Sequence, residues 1–481
     1  MFKKTDPNPQ LDIFTAPSMQ LGSRASKKYS DPNAWHNQFY SLVTTKIDEE
    51  IFKPLFPEGK KSGRPNASIR ILVAMSVLKE GFGCSDEDLF EKCEFDLLTR
   101  KALGMELLTD VTPSIDTYYL FRRRICEYQE RTGIDLMQLC FEQLAGKHVH
   151  LLKISGKCVR MDSKLIGSNI ARQSRYELIH TTLVKFLKTC TLTHLSPEQE
   201  ERAKEYLKED SSKTVYRSDS DTLQSNLARI GNFIMEMLAV FPATSPAHDL
   251  LLRLFEEQYV VMDGKAVLRD KKEVKADSLQ NPNDPDATYR AKNDQKVQGY
   301  VTNITETVEE GKPNIITSVQ VETAVFADCH FLQEAVENSE RVTDSTIEDL
   351  YADGAYQSPD NREFAKNHNA MQLKTGKMQG GCKWELIPHD EDGLTVREIA
   401  TGNTYEAVKA VTKQGSRKRW RIPWNNKTGW RYFEDKDIKA YQLRKQIESL
   451  PLEEQHKRNN VEAAMFQYSF HTRNGGCVIS L

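Results

Sequence analysis

Apolar positions in the first third of the chain recur at three- and four-residue steps, the spacing of one helix face. From Trp35 onward FYSLVTTKIDEEIFKPLF follows it, and a basic turn, PEGKKSGRPN, comes next. SIRILVAMSVLKEGFG, residues 68–83, predicts a strongly apolar helix ended by Gly81 and Gly83. Ser85 is placed to cap SDEDLFEKC, whose first turn is acidic, and PSIDTYYLFRRRI opens at Pro113-Ser114 and carries Arg122, Arg123 and Arg124. The rhythm changes at CVRMDSKLIGSNIA, residues 158–171. There a short apolar run broken by Arg160, Asp162, Ser163 and Lys164 predicts a central strand with an acid near its middle or end. Helical spacing returns in YELIHTTLVKFLKTC, in the acidic SPEQEERAKEYLKED with Ser196 as cap and Pro197 at its first position, and in NLARIGNFIMEMLAVF.

Residues 270–296 are charged and rich in Pro and Asn and predict a loop. VQGYVTNITET and IITSVQVETAV alternate with β-branched residues and predict strands. FLQEAVEN predicts a short helix, EDLYADGAY a strand leading to Asp353, and Ser358-Pro359 the start of another helix. Residues 376–435 are turn-rich and strand-like. They end in KQGSRKRWRIPWNNKTGWR, where Arg417, Lys418, Arg419 and Arg421 interleave with Trp420, Trp424 and Trp430 and no acid intervenes. Basic residues alternating with aromatics suit a nucleic-acid backbone with stacking or wedging contacts; a basic hairpin with inward tryptophans fits equally. A closing helix is expected to start near Pro451, with Arg458 and Glu462 sharing a face at i and i+4 and AAMF supplying its apolar side.

At 481 residues the chain exceeds one ordinary core, so two or three units are expected. Hydrophobic content of 39% with 28% charged residues is that of a soluble globular protein, and no apolar run approaches the ~20 residues of a membrane span. The start, MFKKTDPNPQ, has no signal-peptide core. Nine cysteines without a CxxC pair suggest reduced thiols in the cytoplasm. The net charge of −3 argues against a uniformly basic coat and leaves room for local basic surfaces.

Three carboxylates stand out: Asp162 and Asp353 at apolar strand runs, and Glu462 on the closing helix. Taken singly, each has a plain reading, an Asp bonding its own backbone or a surface ion pair. Taken in order, Asp162 in RMDS, Asp353 in YADGAY and Glu462 in RNNVEAAMF resemble the acidic triad of the DDE transposases of bacterial insertion sequences. The Arg458-to-Glu462 spacing is similar to the last signature of these families; the signature's Tyr and Lys are Gln455 and Ser469 here. The Gly63-to-Pro65 turn and PSIDTYYLFRRR resemble their amino-terminal domain.

The resemblance implies an α/β fold with a ribonuclease H-like catalytic core, interrupted by a helical insertion (about 172–280) and a β-rich insertion (about 376–435). An all-α, helix-turn-helix-like DNA-binding domain (36–150) would precede it, behind an extended arm (1–35), with the catalytic domain running over 151–481. That fold sets its first and fourth strands side by side, which would make Asp162 and Asp353 neighbours although 191 residues separate them. The implied function is a transposase that binds the terminal inverted repeats of its element and cuts and transfers strands at a DDE two-metal site. Asp162, Asp353 and Glu462 would hold Mg²⁺, with Mn²⁺ able to substitute, and Arg458 would sit beside a phosphate or an extruded base. Hard cations of this kind take oxygen ligands, and a metal pair can serve both the attacking and the leaving oxygen of phosphoryl chemistry. Arg122, Arg123, Arg124, Arg417, Lys418, Arg419, Arg421, Trp420 and Trp424 would contact double-stranded DNA, both end repeats and target. The protein would act as a homodimer on DNA, nucleoid-associated and without a membrane.

Two other readings stay open: a transposase-derived DNA-binding protein that no longer cuts, and a ribonuclease H-like nuclease without strand transfer. The ending HTRNGGCVISL, where relatives generally continue with basic sequence and a further helix, is what the first of these expects.

Overall fold

The computed structural model describes residues 2–5, 16–56, 65–168, 172–241, 245–292, 295–375, 382–389, 393–410, 418–424, 429–453, 457 and 463–467. Its amino-terminal region is helical: α1 (Pro17–Gln20), α2 (Ser23–Tyr29), α3 (Trp35–Leu42), α4 (Ile69–Phe82), α5 (Asp86–Phe95), α6 (Leu97–Leu103), α7 (Ile115–Thr132) and α8 (Leu136–Leu152). α4 begins where the Ser68 hydroxyl accepts from the Ile71 amide, and it stops at Gly83, whose φ of 60° is the left-handed conformation a glycine takes without strain. Ser85 and Asp88 form a reciprocal capping box that starts α5. Phe52, Leu72, Met75, Leu89, Tyr118 and Phe121 make the core of this region. The short helices α1 and α2 lie within the stretch read as an extended arm. Tertiary contacts explain them: Tyr29 is buried, and its carbonyl accepts from His36 and Asn37 at 2.8 and 2.9 Å.

After β1 (Cys158–Gly167) the chain leaves the sheet for a helical insertion, α9 (Arg175–Leu187), α10 (Pro197–Lys208), α11 (Ser211–Arg217), α12 (Ser220–Val240) and α13 (Pro246–Gln258), and a hairpin of β2 (Tyr259–Met262) and β3 (Lys265–Leu268). Ile179, Leu183, Ile230, Phe233, Leu251 and Leu254 give it a core of its own. It returns through β4 (Thr288–Lys292), β5 (Gln295–Thr307), β6 (Ile316–Thr323), α14 (Leu332–Thr343), β7 (Asp349–Ala352), α15 (Pro359–Asn367) and β8 (Gln372–Thr375). β4 falls in the segment read as a loop; TYRAK carries no apolar alternation, and the strand forms by pairing with the first residues of β5.

The central sheet runs β4-β5-β1-β7-β8, with β6 also on β5. β1, β7 and β8 are parallel, and β5 is antiparallel to β1, β4 and β6. Side chains alternate across a strand, so Val159 and Met161 of β1 and Leu350 and Ala352 of β7 share one face, buried against Leu332, Ala335 and Val336 of α14. The opposite face carries Arg160 and Asp162 beside Tyr351.

A second sheet has the order β13-β12-β11-β10-β9, built from β9 (Trp384–His389), β10 (Gly393–Glu398), β11 (Thr404–Lys409), β12 (Arg419–Trp424) and β13 (Gly429–Glu434). α16 (Asp435–Glu448) follows directly, ahead of the closing helix expected from near Pro451, of which residues 452–453 and 463–467 are helical. DKDIKAYQLRKQIE has almost no apolar stripe to announce it; Ile438 and Tyr441 pack it on the sheet core of Trp384, Leu394, Val396 and Ile422. Among the described residues no helix is long and apolar enough to cross a membrane, and the described cysteines are free thiols.

Candidate active site

β1 pairs with β7 through Cys158–Asp349, Val159–Leu350 and Arg160–Tyr351. The same parallel register carried two residues further brings Asp162 level with Asp353, the first residue after β7. Adjacent strands lie about 4.8 Å apart, and residues at one register position point to one face. Within β1, alternation sets Asp162 on the face opposite α14, and Asp353 follows directly on Ala352, the last residue of β7. β7 ends at Ala352 while β1 continues against β5 as far as the Gly167–Gly299 pair, so Asp162 lies past the last residue of β1 paired with β7. The crevice outside strand ends is where open α/β sheets bind ligands.

Asp162 Oδ1 accepts from the Ser163 amide at 2.9 Å, the local bond of the plain reading. That bond fixes one carboxylate oxygen and leaves the residue's position on the crevice unchanged. Asp353 precedes a tight turn, Gly354–Tyr356, in which the Tyr356 amide donates to the Asp353 carbonyl at 3.0 Å. Tyr356 is fully buried and donates from its hydroxyl to Asn303 Oδ1 on β5 at 2.9 Å; Asn303 in turn donates to Gln320 Oε1 on β6 at 2.9 Å. This chain of hydrogen bonds ties the Asp353 turn to β5 and β6. Burial raises the Tyr356 hydroxyl well above its ordinary pKa, a hydrogen bond with the Ser163 side chain opposes the rise, and the negative charges of Asp162, Asp328 and Asp353 add to it. Asp328 is engaged by Arg290 at 3.1 Å, which holds β4 to the turn before α14.

Glu462 and Arg458 lie outside the described residues, as does Arg417. Among the described residues no three His, Cys, Asp or Glu side chains are grouped to hold a metal ion. The described donor set is thus two carboxylates. Hard oxygen ligands suit Mg²⁺, which is commonly held by one or two carboxylates together with substrate phosphate.

Sequence reading passed over Arg160, the residue two positions before Asp162 on the same face. It is 1% exposed, and its Nε donates to Glu306 Oε1 of β5 at 2.5 Å. Burial raises the Glu306 carboxyl above the usual range, and the adjacent Arg160 charge partly offsets that. An arginine amid Val, Met and Ile in a central strand was the available signal, since a charge there requires a partner.

Arg122, Arg123 and Arg124 are consecutive on α7 and so fan out at about 100° per residue. Arg122 turns toward Asp86 at 3.9 Å, and Arg124 lies over the Phe56 ring. Arg123 is the outward one, its side chain 68% exposed and only 3.6 Å from Glu127 one turn on. Alternation also divides the basic stretch of β12. Trp420 is 4% exposed and packs with Ile422 in the sheet core, and Trp424 meets Trp384 edge-on at 5.2 Å. Arg419 and Arg421 take the other face, where Arg419 lies 4.0 Å over Tyr432 and Arg421 4.3 Å over Trp430. Trp430 and Tyr432, 49% and 40% exposed, are the rings this face offers to a ligand. Lys418 is exposed at the start of the strand.

Residues 28–124, about a fifth of the chain, match the family model described as Transposase domain (DUF772). No curated protein and no solved structure matches the chain. The family match supports a transposase, in general terms an enzyme that binds, cuts and transfers DNA. It covers α3 to α6 and most of α7, and stops before Asp162.

Proposed function

We propose that this chain is a DDE transposase whose cutting site is the Asp162–Asp353 crevice, completed by Glu462. The observation that carries the proposal is the parallel pairing of β1 on β7, whose register, continued two residues past Arg160–Tyr351, would set two carboxylates 191 positions apart in sequence side by side. Three parallel strands, an antiparallel neighbour beyond them and a further strand on its outer side make the order of a ribonuclease H-like core, and support the same reading. Asp162, Asp353 and Glu462 would hold Mg²⁺ or Mn²⁺, which when bound supplies positive charge against the phosphoryl oxygens. The protein's own part is positional. The Tyr356–Asn303–Gln320 chain keeps the Asp353 turn in place, and Arg458 would pair with a phosphate. The helical region would read the terminal inverted repeats, and the outer face of the second sheet would hold DNA beside the site. Assembly as a dimer on nucleoid DNA belongs to the same proposal.

The test uses the full chain with a duplex carrying the inverted repeats that flank its gene. Mg²⁺-dependent release of a 3′ hydroxyl, followed by joining to a second duplex, is expected. Specific binding without cleavage would mean the non-cutting reading, and cleavage without joining the nuclease.

Two surface substitutions report on the DNA contacts. Arg123→Glu is expected to weaken end binding and to lower the slope of log affinity against log salt by about one, the effect of losing one phosphate contact. An unchanged slope in filter binding would remove Arg123 from the interface. Arg421→Glu with Trp430→Ala is expected to cost about 1–3 kcal/mol of DNA affinity, the scale of one stacking contact. The melting temperature should hold, because Trp420, Ile422 and Phe433 keep the sheet core. Wild-type binding by this variant would leave the outer face without a DNA role.

A further inference from the structure

We infer that Arg160 is a positioning residue that docks the carboxyl-terminal segment against the Asp162–Asp353 edge, an inference that rests on the reading of that edge as the cutting site. Three parts of the chain converge on this one buried guanidinium. Nε takes Glu306 of β5. Nη1 donates to the backbone carbonyl of Lys457, 297 residues away, at 2.8 Å. With its amide oriented to donate to the Thr307 carbonyl at 3.1 Å, Asn314 accepts from Nη2 at 2.6 Å. The planar fork spreads its donors over three nitrogens and so reaches three acceptors set well apart, whereas the three donors of a lysine ammonium all sit on one nitrogen.

Lys457 is gripped a second time. Its ammonium lies 5.8 Å over the Tyr351 ring, and Tyr351 is the register partner of Arg160 on β7. Lys457 is therefore seated on the Arg160–Tyr351 pair, two residues before Asp162 on β1 and two before Asp353 after β7. Met465, further along, is buried as well. Glu462 falls between these two anchors in the sequence.

Sheet stability alone does not account for the arginine. A buried ion pair is commonly matched or bettered by apolar residues of similar volume, so its retention calls for something the apolar pair would not do. Holding a backbone carbonyl of a distant segment is such a task.

Hydrogen exchange on the full-length protein tests this without DNA or metal, comparing wild type, Arg160→Lys, and Arg160→Met with Glu306→Leu. Exchange in peptides spanning 450–467 is expected to rise about tenfold or more in both variants while β1 and β7 peptides stay protected, as for release of a local unit. Should the double variant lose protection throughout, Arg160→Lys decides. In the nicking assay the Mg²⁺ concentration for half-maximal rate should rise in the variants with end-DNA affinity unchanged, a split that a merely structural defect does not produce. Unchanged exchange at 450–467 in a folded variant, or rapid exchange there already in wild type, would overturn the inference. Release of the segment in the variants with no nicking by wild type would uphold the docking and remove the cutting reading instead.

Discussion

Asp162→Asn and Asp353→Asn each lower Mg²⁺-dependent nicking of end DNA by about a hundredfold or more, the scale for losing one preorganised electrostatic contact at a reacting centre. Binding of the same DNA stays within experimental scatter, because the proposed end-reading surface lies on the helical region and not at the crevice. The two substitutions also separate a catalytic role from a structural one through stability. In the proposed site the two carboxylates repel, so removing either charge is expected to leave the melting temperature unchanged or to raise it. A structural aspartate would show the reverse, a loss of stability with activity falling only in proportion. Glu462→Gln belongs in the same experiment. Equal loss of nicking is expected, and full activity in that variant would mean that another acid completes the site. Nicking that survives Asp162→Asn would end the assignment of the crevice.

Much of this geometry was legible where the sequence pattern and the physics coincide. Ser85 and Ser196 announce helix starts because a hydroxyl before an apolar period satisfies free amides, and the structure bonds both of them that way. β5 and β6 were readable from alternation and β-branched residues, and β7 from the apolar run that leads to Asp353. α16 was not, since its only strong signals are a few apolar positions in a polar run, and its place is set by the sheet that precedes it. The candidate site divides in the same manner. Asp162 and Asp353 were identifiable from apolar runs leading to an acid, but the shared level proposed for them rests on the strand register, which no local pattern contains. Parity would have sorted the tryptophans: in RWRIPW, Trp420 shares its phase with Ile422 and Arg421 does not, so the inward ring was already encoded. Arg160 was passed over because its partners, Glu306, Asn314 and Lys457, come from segments 146 to 297 residues away.

Arg160→Met should be among the most destabilising single changes in the sheet. It leaves Glu306 buried without its counter-charge, which costs about 3–5 kcal/mol near neutral pH. The sign of the pH dependence follows from Glu306. Burial already raises its pKa in the folded protein, with Arg160 opposing the rise. Between the ordinary carboxylate value and the raised one, the native state holds a proton that the unfolded chain has released, so stability falls as pH increases through that window. Removing Arg160 removes the opposing influence and extends the window upward. The penalty of Arg160→Met is therefore smaller at about pH 5 than at about pH 8, because the stranded carboxyl is protonated at the lower value. Urea unfolding of wild type and variant at the two pH values measures this directly. Adding Glu306→Leu should restore most of the loss at the higher pH and flatten the difference, since no buried charge then remains. A penalty that grows toward acid would mean that Glu306 is not the group left uncompensated.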